Sequence, residues 1–487
     1  MPAFDFSNLF ESDSRTGIVY KNGFKIVTGD GFKKVCTERF KYKRRFFVDE
    51  VVKLCSNPLG LDYIYGVEGI RGVGKTIGLF HAIDELNEYD NTVYIELLEQ
   101  KSIYDVMSIL SEYKDLKYFF IDEVTFINDF INKGNYLSSF FNEDNKVCFI
   151  SGTDSYALIE SKLKALFHRI YLIKVSYISY LEHNMLTGIS VDNYIKYGGM
   201  LDERVLHDTN SEELLSEIVI SNIVNTITRN IDYFLDSGEF DPQTLDLPTS
   251  ELSKYIKSII FYIYYCIIFK TNKNTRLNFL NKYTDKKYIS EFSQFLELLG
   301  LDLPVEFYRI DLGTIAKVLK KMELIVEVSN YADSKDRQFY ISNSAISYVL
   351  FRDFVSVSNL PLNIDGSSKY KFDEHIKGRA FESMFMNEIY HMYNNVYFYV
   401  DSNIELDAIL CNDEDTEVIA IEIKSRNTES NCIDKATAIR SYNNPNLKRK
   451  IICTRVNFGY EFKDLGDKTT IVPFSYVIEY LNSFKIE

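Results

Sequence analysis

DYIYGVEGIRGVGKT, residues 62–76, predicts a short strand, a glycine-rich turn and the start of a helix, in that order. It contains the spacing G-x-x-x-x-G-K-T, from Gly69 through Gly74 to Lys75 and Thr76. Glycines let the backbone wrap its N–H groups around a phosphate, and the following helix presents its positive N-terminal end. A glycine-rich turn that matches by chance is the alternative, but the strand before and the helix after favour a nucleotide site. Lys75 would neutralise the β and γ phosphates, and Thr76 would place its hydroxyl on Mg²⁺.

A second acidic site follows at the end of a predicted buried strand. The segment LKYFFIDE, residues 116–123, places Asp122 and Glu123 directly after a run of bulky residues. We expect Asp122 to hold Mg²⁺ through its water shell and Glu123 to polarise the attacking water. A strand predicted at 92–96 and a helix predicted at 102–113 separate this segment from the phosphate loop, so the two motifs support each other.

Two further positions are candidates for action on the nucleotide. The next strand, residues 146–154, ends in small polar residues, so Ser151 or Thr153 is a candidate γ-phosphate sensor, with an ordinary strand-ending turn as the alternative. Arg169 is a candidate arginine finger acting on a neighbouring subunit, or else a structural surface charge. The predicted nucleotide-binding residues are Gly69, Arg71, Gly72, Gly74, Lys75, Thr76, Asp122 and Thr153, and the predicted hydrolytic residues are Glu123 and Arg169.

The segments GIRGVGKT, FFIDEV, FISGTDS and FHRIYLIKVSYISYLEH together resemble a large archaeal and bacterial family of AAA-type ATPases. The resemblance covers most of the chain and implies an α/β fold: a P-loop AAA-type ATPase core, a helical lid, a winged helix and a C-terminal α/β restriction-endonuclease-like domain. It also implies an additional strand in the P-loop core. ATP is favoured over GTP, because nothing like the guanine-reading N-K-x-D follows the last core strand.

The motifs and the resemblance together divide the chain into six segments. They are an N-terminal basic segment (1–45), the P-loop ATPase core (46–180), the helical lid (181–300), the winged helix (301–352), a linker (353–372) and a PD-(D/E)XK nuclease-like domain (373–487). Helical periodicity at 212–224 and 255–269 indicates the lid. The stretch from 355 to 370 is rich in Ser, Asn, Pro and Gly, which indicates the linker.

The winged helix is predicted from the order of its elements. An amphipathic helix at 315–324 is followed by a strand at 325–328, a polar turn and a strand at 337–341. Such a module either reads DNA or packs between domains. The lysines that would read DNA here are Lys317, Lys320 and Lys321.

Two segments near the C-terminus carry charged residues with the period of a β-strand. IELDAI (404–409) contains Asp407, and VIAIEIK (418–424) places Glu422 and Lys424 on one face. If these strands pair as a hairpin, the three side chains converge, and two carboxylates there form a hard oxygen site for Mg²⁺. Two strands whose acids merely face solvent are the alternative.

The order of these residues resembles the PD-(D/E)XK nuclease core, which also uses an acid from a preceding helix. GRAFE supplies that acid as Glu382, and Leu406 stands where the strict motif has proline. The resemblance implies catalytic roles for Glu382, Asp407, Glu422 and Lys424, with Asp407 and Glu422 as metal ligands. Lys424 would stabilise the charge on the transferring phosphate or orient the attacking water. The domain is often degenerate in the wider family, whereas all four polar positions are intact here.

Charge and hydropathy limit the partners. With 55 Lys+Arg and 70 Asp+Glu the net charge is −15, which argues against coating nucleic acid by bulk charge. Basic stretches at 431–456 (six bases, one acid) and 21–45 (nine bases, two acids) nevertheless predict local contact with a phosphodiester, or, for the second, with another subunit.

The longest apolar run, 258–269, is shorter than the roughly 20 residues of a spanning helix, and the N-terminus resembles no signal peptide. We therefore expect a cytoplasmic protein without membrane association.

Two functions from different classes remain open. The first is a nucleotide-gated nuclease that uses ATP and Mg²⁺, acts on nucleic acid, DNA in preference to RNA, and serves bacterial defence or mobile-element biology. The second is a signalling or scaffold ATPase whose nuclease-like domain is inactive and only binds nucleic acid or a protein partner. A protein with either function could be a homo-oligomer. A homo-oligomer is required if Arg169 acts on the nucleotide of a neighbouring subunit.

Overall fold

The computed structural model describes residues 17–39, 43–60, 63–142, 146–153, 155–200, 312–358 and 369–484, together with residues 230, 263, 264 and 267. These residues fall into two compact units. The first lies within residues 1–177 and 225–238, and the second lies within residues 178–224 and 239–487. Each unit contains its own β-sheet.

The first unit alternates strands and helices. Its strands are β1 (Ile18–Lys21), β2 (Phe24–Thr28), β3 (Ile64–Glu68), β4 (Thr92–Leu97), β5 (Tyr118–Asp122), β6 (Val147–Ser151) and β7 (Ile170–Lys174). Its helices are α1 (Asp30–Arg39), α2 (Phe47–Ser56), α3 (Lys75–Leu86), α4 (Ile103–Glu112), α5 (Phe130–Lys133), α6 (Asn135–Phe141) and α7 (Ser155–Leu163). Every residue of β3, β5 and β6 is buried, as expected for parallel strands covered on both faces.

The strand order of this sheet is β1-β2-β4-β5-β6-β3-β7. The five adjacent strands β4, β5, β6, β3 and β7 are parallel. The antiparallel hairpin of β1 and β2 extends the sheet at the β4 edge. β6 therefore lies between β3, which leads into the phosphate loop, and β5, which ends in Asp122. This is the additional-strand core that the resemblance implied. The structure also places residues 18–39 in this unit, whereas the sequence predicted a separate basic segment over 1–45.

The second unit contains the remaining described elements. Its helices are α8 (Tyr180–Thr187), α9 (Val191–Tyr197), α10 (Leu312–Lys321), α11 (Ser344–Ser358), α12 (Lys369–Met392), α13 (Glu429–Lys435), α14 (Thr437–Ser441) and α15 (Phe474–Asn482). Its strands are β8 (Ile325–Asn330), β9 (Arg337–Ile341), β10 (Val396–Val400), β11 (Glu405–Cys411), β12 (Val418–Lys424), β13 (Leu447–Thr454), β14 (Lys463–Gly466) and β15 (Thr469–Pro473).

These eight strands form one sheet in the order β14-β15-β13-β12-β11-β10-β8-β9. The helix, strand, turn, strand order predicted for the winged helix is present as α10, β8 and β9. However, β8 pairs in parallel with β10, at Ser329 opposite Tyr397, so the strand pair continues the C-terminal sheet. The predicted segment 301–352 therefore contributes its strands to the same sheet as 396–473 and not to a sheet of its own. Of the lysines proposed to read DNA, Lys320 is paired with Glu327 of β8.

Helices occupy both described ends of the predicted linker 353–372. α11 continues to Ser358 and α12 begins at Lys369, while residues 359–368 lie outside the described residues. Most of the predicted lid, 181–300, also lies outside them, including the helix predicted at 212–224. Within the described residues, no helix combines the length and the apolar character needed to cross a membrane.

Candidate functional site

The phosphate loop connects the end of β3 to the start of α3. Gly72 and Gly74 have φ of 85° and 83°, a left-handed conformation that side-chain-bearing residues rarely adopt. At Gly69 a Cβ atom would lie 2.2 Å from the carbonyl oxygen of Val175, so any larger residue would displace the loop. The glycines are thus required by backbone conformation and by close packing.

Two buried basic residues donate hydrogen bonds to carbonyl groups of the loop. Lys75 is buried, and its Nζ donates to the carbonyl oxygens of Gly69 at 2.5 Å and Ile70 at 2.9 Å. Arg45, which precedes α2 and is also buried, donates to the carbonyl oxygen of Val73. Arg71 is exposed on the loop. The loop is therefore held from inside by two cations, of which the sequence motif identified only Lys75.

Asp122, at the end of β5, collects four hydrogen bonds. Its Oδ2 accepts from the Thr76 hydroxyl at 2.7 Å and from the Tyr94 hydroxyl at 2.9 Å. Its Oδ1 accepts from the Ser151 hydroxyl and from the Glu123 N–H at 3.0 Å. A hydroxyl and a carboxylate in contact at a phosphate loop are hard oxygen donors that fit Mg²⁺. The predicted partners Thr76 and Asp122 are thus brought together.

Glu123 is partly buried and lies next to Thr153. The Thr153 hydroxyl donates to Glu123 Oε1 at 2.6 Å, and the Thr153 N–H donates to Oε2 at 3.2 Å. Ser151 is instead bound to Asp122. The two candidate sensor residues therefore contact different members of the acidic pair, and Thr153 is the one that touches the predicted water-activating carboxylate.

Arg169 lies just before β7 and is exposed, with Nη1 3.3 Å from the Ser138 hydroxyl. Two preceding residues are also exposed, among them Phe167 with 57% of its surface accessible. An exposed guanidinium is compatible with the role of arginine finger predicted from the sequence, which stays a prediction.

A second group of charged residues lies where β11 and β12 pair. The antiparallel pairing runs from Cys411 opposite Val418 to Ala408 opposite Ile421, and Asp407 and Glu422 are the next residues of the two strands. Lys424 Nζ lies 2.6 Å from Glu422 Oε1. The hairpin predicted from the sequence is therefore formed, and it brings Asp407, Glu422 and Lys424 together.

The carboxylates of this group have internal partners. Asp407 Oδ2 accepts from the Ile423 N–H at 2.6 Å, and Glu422 Oε2 accepts from the Ile439 N–H at 2.9 Å. Burial and, to a smaller extent, the negative charge of Glu382 on α12 raise the pKa of Asp407 to about 7, while Lys424 opposes the shift. The charge of Glu382 on α12 thus acts on Asp407, and the catalytic role of Glu382 stays a prediction.

Among the residues that the structure describes, no group of three or more His, Cys, Asp or Glu side chains is arranged to hold a metal ion. Asp407 and Glu422 alone provide hard oxygen donors that fit Mg²⁺, and the other ligands of such an ion would be waters and substrate oxygens. Glu382 is held by Arg379, with Nη1 3.5 Å from Oε2.

Much of the predicted basic surface is paired within the molecule. In the stretch 431–456, Lys448 bonds to Glu417 at 2.6 Å, the buried Lys450 donates to the Arg440 carbonyl, and Arg455 pairs with Asp192. In the stretch 21–45 the described ion pairs are Lys21–Glu112, Lys25–Glu96, Lys33–Asp30, Arg44–Asp49 and Arg44–Glu85. These charges are partly neutralised, so the two stretches provide less free positive charge than counting bases along the chain suggested.

The strand order, the phosphate loop and the acidic pair define the first unit as a P-loop ATPase core of the AAA type. In agreement, residues 61–184 match a family model described as AAA domain. Residues 377–477 match a second model, described as a domain of unknown function (DUF4143). The nucleotide that such a core binds is ATP, typically with Mg²⁺.

Solved structures provide further similarity. The chain is similar to the Aeropyrum pernix Orc1 protein in complex with DNA, with 12% identity, 64% of this chain and 92% of that chain covered, and a TM-score of 0.25. It is similar to Cdc6p from Pyrobaculum aerophilum, with 12% identity, 64% and 92% coverage, and a TM-score of 0.24. TM-scores this low carry no argument about this protein. The assignment of the first unit as an AAA-type ATPase core therefore rests on the family match and on the geometry of the site. No curated protein sequence matches the chain.

Proposed function

We propose that this protein is a Mg²⁺-dependent ATPase whose nucleotide state controls a metal-dependent nuclease site in its second unit. The observation that carries the nuclease part is the pairing of β11 with β12, in which Asp407 Oδ2 accepts from the Ile423 N–H at 2.6 Å and Lys424 Nζ lies 2.6 Å from Glu422 Oε1. Two acids and a lysine at the ends of paired strands can bind a divalent ion and a phosphodiester together. Bacterial defence or mobile-element biology is the proposed setting.

The roles at the nucleotide site follow from its contacts. Lys75 and the loop N–H groups would bind the phosphates, and Glu123, held by Thr153, would orient and polarise the attacking water. Thr76 and Asp122 would hold the Mg²⁺, which supplies charge stabilisation at the β and γ phosphates. Arg169 would act on the nucleotide of a neighbouring subunit in a homo-oligomer.

At the second site, Asp407 and Glu422 would hold the Mg²⁺ and Glu382 would assist from α12. Lys424 would stabilise the charge that develops on the phosphate or orient the attacking water. The substrate class is nucleic acid, DNA in preference to RNA. The basic residues around the site are largely paired within the molecule. Their charge therefore adds nothing to the preference for DNA over RNA that was inferred from the sequence.

A direct test uses the purified full chain with labelled DNA and RNA, with Mg²⁺ or Mn²⁺, in the presence and absence of ATP. Wild type is expected to cleave, and Asp407→Asn to lose about 100-fold or more of the rate, because it removes a ligand carboxylate. Asp467→Asn is the matched control, since its side chain is 91% exposed in the same unit. Lys75→Ala should remove the dependence on ATP. Absence of cleavage by wild type on both substrates would reject the nuclease.

The second candidate is a scaffold ATPase with an inactive nuclease-like domain. It is favoured by one specific observation: both Glu422 oxygens are already engaged, by Lys424 and by the Ile439 N–H. On this proposal Asp407→Asn leaves nucleic-acid or partner binding intact and ATP hydrolysis unchanged. Cleavage that is lost in Asp407→Asn and kept in Asp467→Asn would exclude it.

A further inference from the structure

We infer that Tyr94 is a positioning residue for the Mg²⁺ of the nucleotide site, acting through Asp122. The inference rests on the proposed Mg²⁺-dependent nucleotide site and adds a residue that lies outside both sequence motifs. Its basis is the hydrogen bond of 2.9 Å that the Tyr94 hydroxyl donates to Asp122 Oδ2.

The position of Tyr94 is fixed by its strand and by its ring. β4 and β5 are parallel neighbours, with Tyr94 opposite Phe120 and Glu96 opposite Asp122. Tyr94 has no accessible surface, and its ring packs on Phe80 of α3 with 4.4 Å between centroids. A ring buried in this way has little freedom to rotate, so its hydroxyl is a rigid donor.

The other three donors to Asp122 do not replace this contact. Ser151 and the Glu123 N–H bind Oδ1, the opposite oxygen. Thr76 also binds Oδ2, but its hydroxyl is itself a predicted ligand of the ion. Tyr94 is therefore a described donor to Oδ2 that is not itself a predicted ligand of the ion or the phosphates.

A carboxylate that serves a metal ion depends on the groups that orient it. Removing such an outer partner typically costs about 10-fold to 100-fold in metal affinity or activity. Loss of the Tyr94 hydroxyl should therefore weaken the response to Mg²⁺ more than it weakens the binding of the nucleotide alone.

The test is Tyr94→Phe, which removes the hydroxyl and keeps the ring on Phe80. A fluorescent ATP analogue is bound to the full chain, and Mg²⁺ or Mn²⁺ is titrated, with Mn²⁺ binding also followed by electron paramagnetic resonance. We expect the midpoint of the metal titration to rise about tenfold. Binding of the analogue without metal should change less than about twofold, because Lys75 and the loop are untouched.

Tyr65→Phe is the matched control. Tyr65 is also buried in this sheet, stacks on Phe149 and accepts a hydrogen bond from the Leu59 N–H at 2.9 Å. A rise of the metal midpoint in Tyr94→Phe but not in Tyr65→Phe supports the inference. An unchanged midpoint in Tyr94→Phe, or an equal loss of metal-free nucleotide binding, overturns it while leaving the proposed function intact. A wild type whose nucleotide binding ignores Mg²⁺ overturns both.

Discussion

Thr153 binds both carboxylate oxygens of Glu123, with its hydroxyl 2.6 Å from Oε1 and its backbone nitrogen 3.2 Å from Oε2. Glu123 has a φ of 56°, in the left-handed region that costs a residue with a side chain about 1 kcal/mol or more. The contact therefore orients a carboxylate whose backbone is already strained. Strain of this kind persists when neighbouring contacts maintain it, and Thr153 supplies such a contact.

Replacing Thr153 by valine should reduce ATP hydrolysis. Valine keeps the β-branched shape and the backbone N–H but removes the hydroxyl, so Glu123 loses the side-chain contact that helps to orient it toward the water. A misplaced catalytic group typically costs about 10-fold to 100-fold in rate, so we expect kcat to fall at least about tenfold. KM for ATP should change less than about twofold, because the phosphate loop is unaltered. Steady-state phosphate release measures both.

Thr92→Val is the control for this experiment, since the Thr92 hydroxyl donates to the Glu88 carbonyl at 2.7 Å, away from the acidic pair. It should retain the wild-type kcat. An increase of kcat in Thr153→Val would contradict the prediction and would mean that Thr153 restrains Glu123 instead of positioning it.

The nucleotide site shows which parts of a site can be predicted from one sequence. Lys75, Thr76 and Asp122 were predicted because each lies in a short motif whose spacing is itself the requirement for binding phosphate and Mg²⁺. Arg45 and Tyr94 were missed because they reach the loop and Asp122 through packing of separate elements. Tyr94 in particular stands in an apolar strand, where a tyrosine is expected simply to be buried.

In the second unit, too, contacts between elements that are distant in the sequence could not be predicted, and here they concern the pairing of strands. The pairing of β11 with β12 was predicted, because the two strands are close in sequence and alternate with a period of two. The pairing of β8 with β10 joins Ser329 to Tyr397, and no local pattern indicates a partner so distant in the chain. Hence the strand pair of the predicted winged helix was assigned to a separate domain.

Counting charges along the chain overestimated the free basic surface for a related reason. Arg455 was interpreted as part of a phosphate-binding stretch, whereas its Nη1 is bound to Asp192, which lies 263 residues earlier. An ion pair between distant residues leaves no mark on local composition.

Glu388 on α12 should make the stability of the second unit depend on pH. It accepts a hydrogen bond from the Tyr180 N–H at the start of α8, and Tyr194 lies 3.5 Å away. Burial, with a smaller contribution from the nearby Glu182, raises the pKa of Glu388 to about 7, although the hydrogen bonds from Tyr180 and Tyr194 oppose the shift. The folded state therefore holds a proton that the unfolded state has released, between the ordinary glutamate pKa near 4.3 and about 7. The free energy of unfolding consequently falls as pH rises through this window and levels off above it.

Glu388→Gln should remove this decline, because glutamine is neutral at every pH and keeps an acceptor for Tyr180. We expect wild type to lose about 3 kcal/mol more than the variant between pH 5 and pH 8. Urea denaturation at several pH values, followed by circular dichroism, measures the difference. Glu461→Gln, an exposed carboxyl of the same unit, should follow wild type. Parallel pH profiles for wild type and Glu388→Gln would show that Glu388 titrates normally.

Asp192 should contribute more to stability than its exposure suggests. Its side chain is 53% exposed, but its partner Arg455 is only 2% exposed. Arg455 Nε lies 3.2 Å from the Ser425 hydroxyl and Nη2 lies 2.7 Å from Asn427 Oδ1, while Nη1 donates to Asp192 Oδ1. Asp192→Ala would remove a counter-charge from a buried cation.

We expect Asp192→Ala to lower the free energy of unfolding by about 1–2 kcal/mol, below the cost of a fully buried pair because Asp192 is half-exposed. Glu461→Ala, which removes an exposed acid, should change it by less than about 0.5 kcal/mol. In the background of Arg455→Met, which replaces the cation by an apolar side chain, Asp192→Ala should cost almost nothing, since no buried charge remains to be compensated. Urea denaturation of the four variants measures this coupling, and equal effects of Asp192→Ala with and without Arg455 would contradict it.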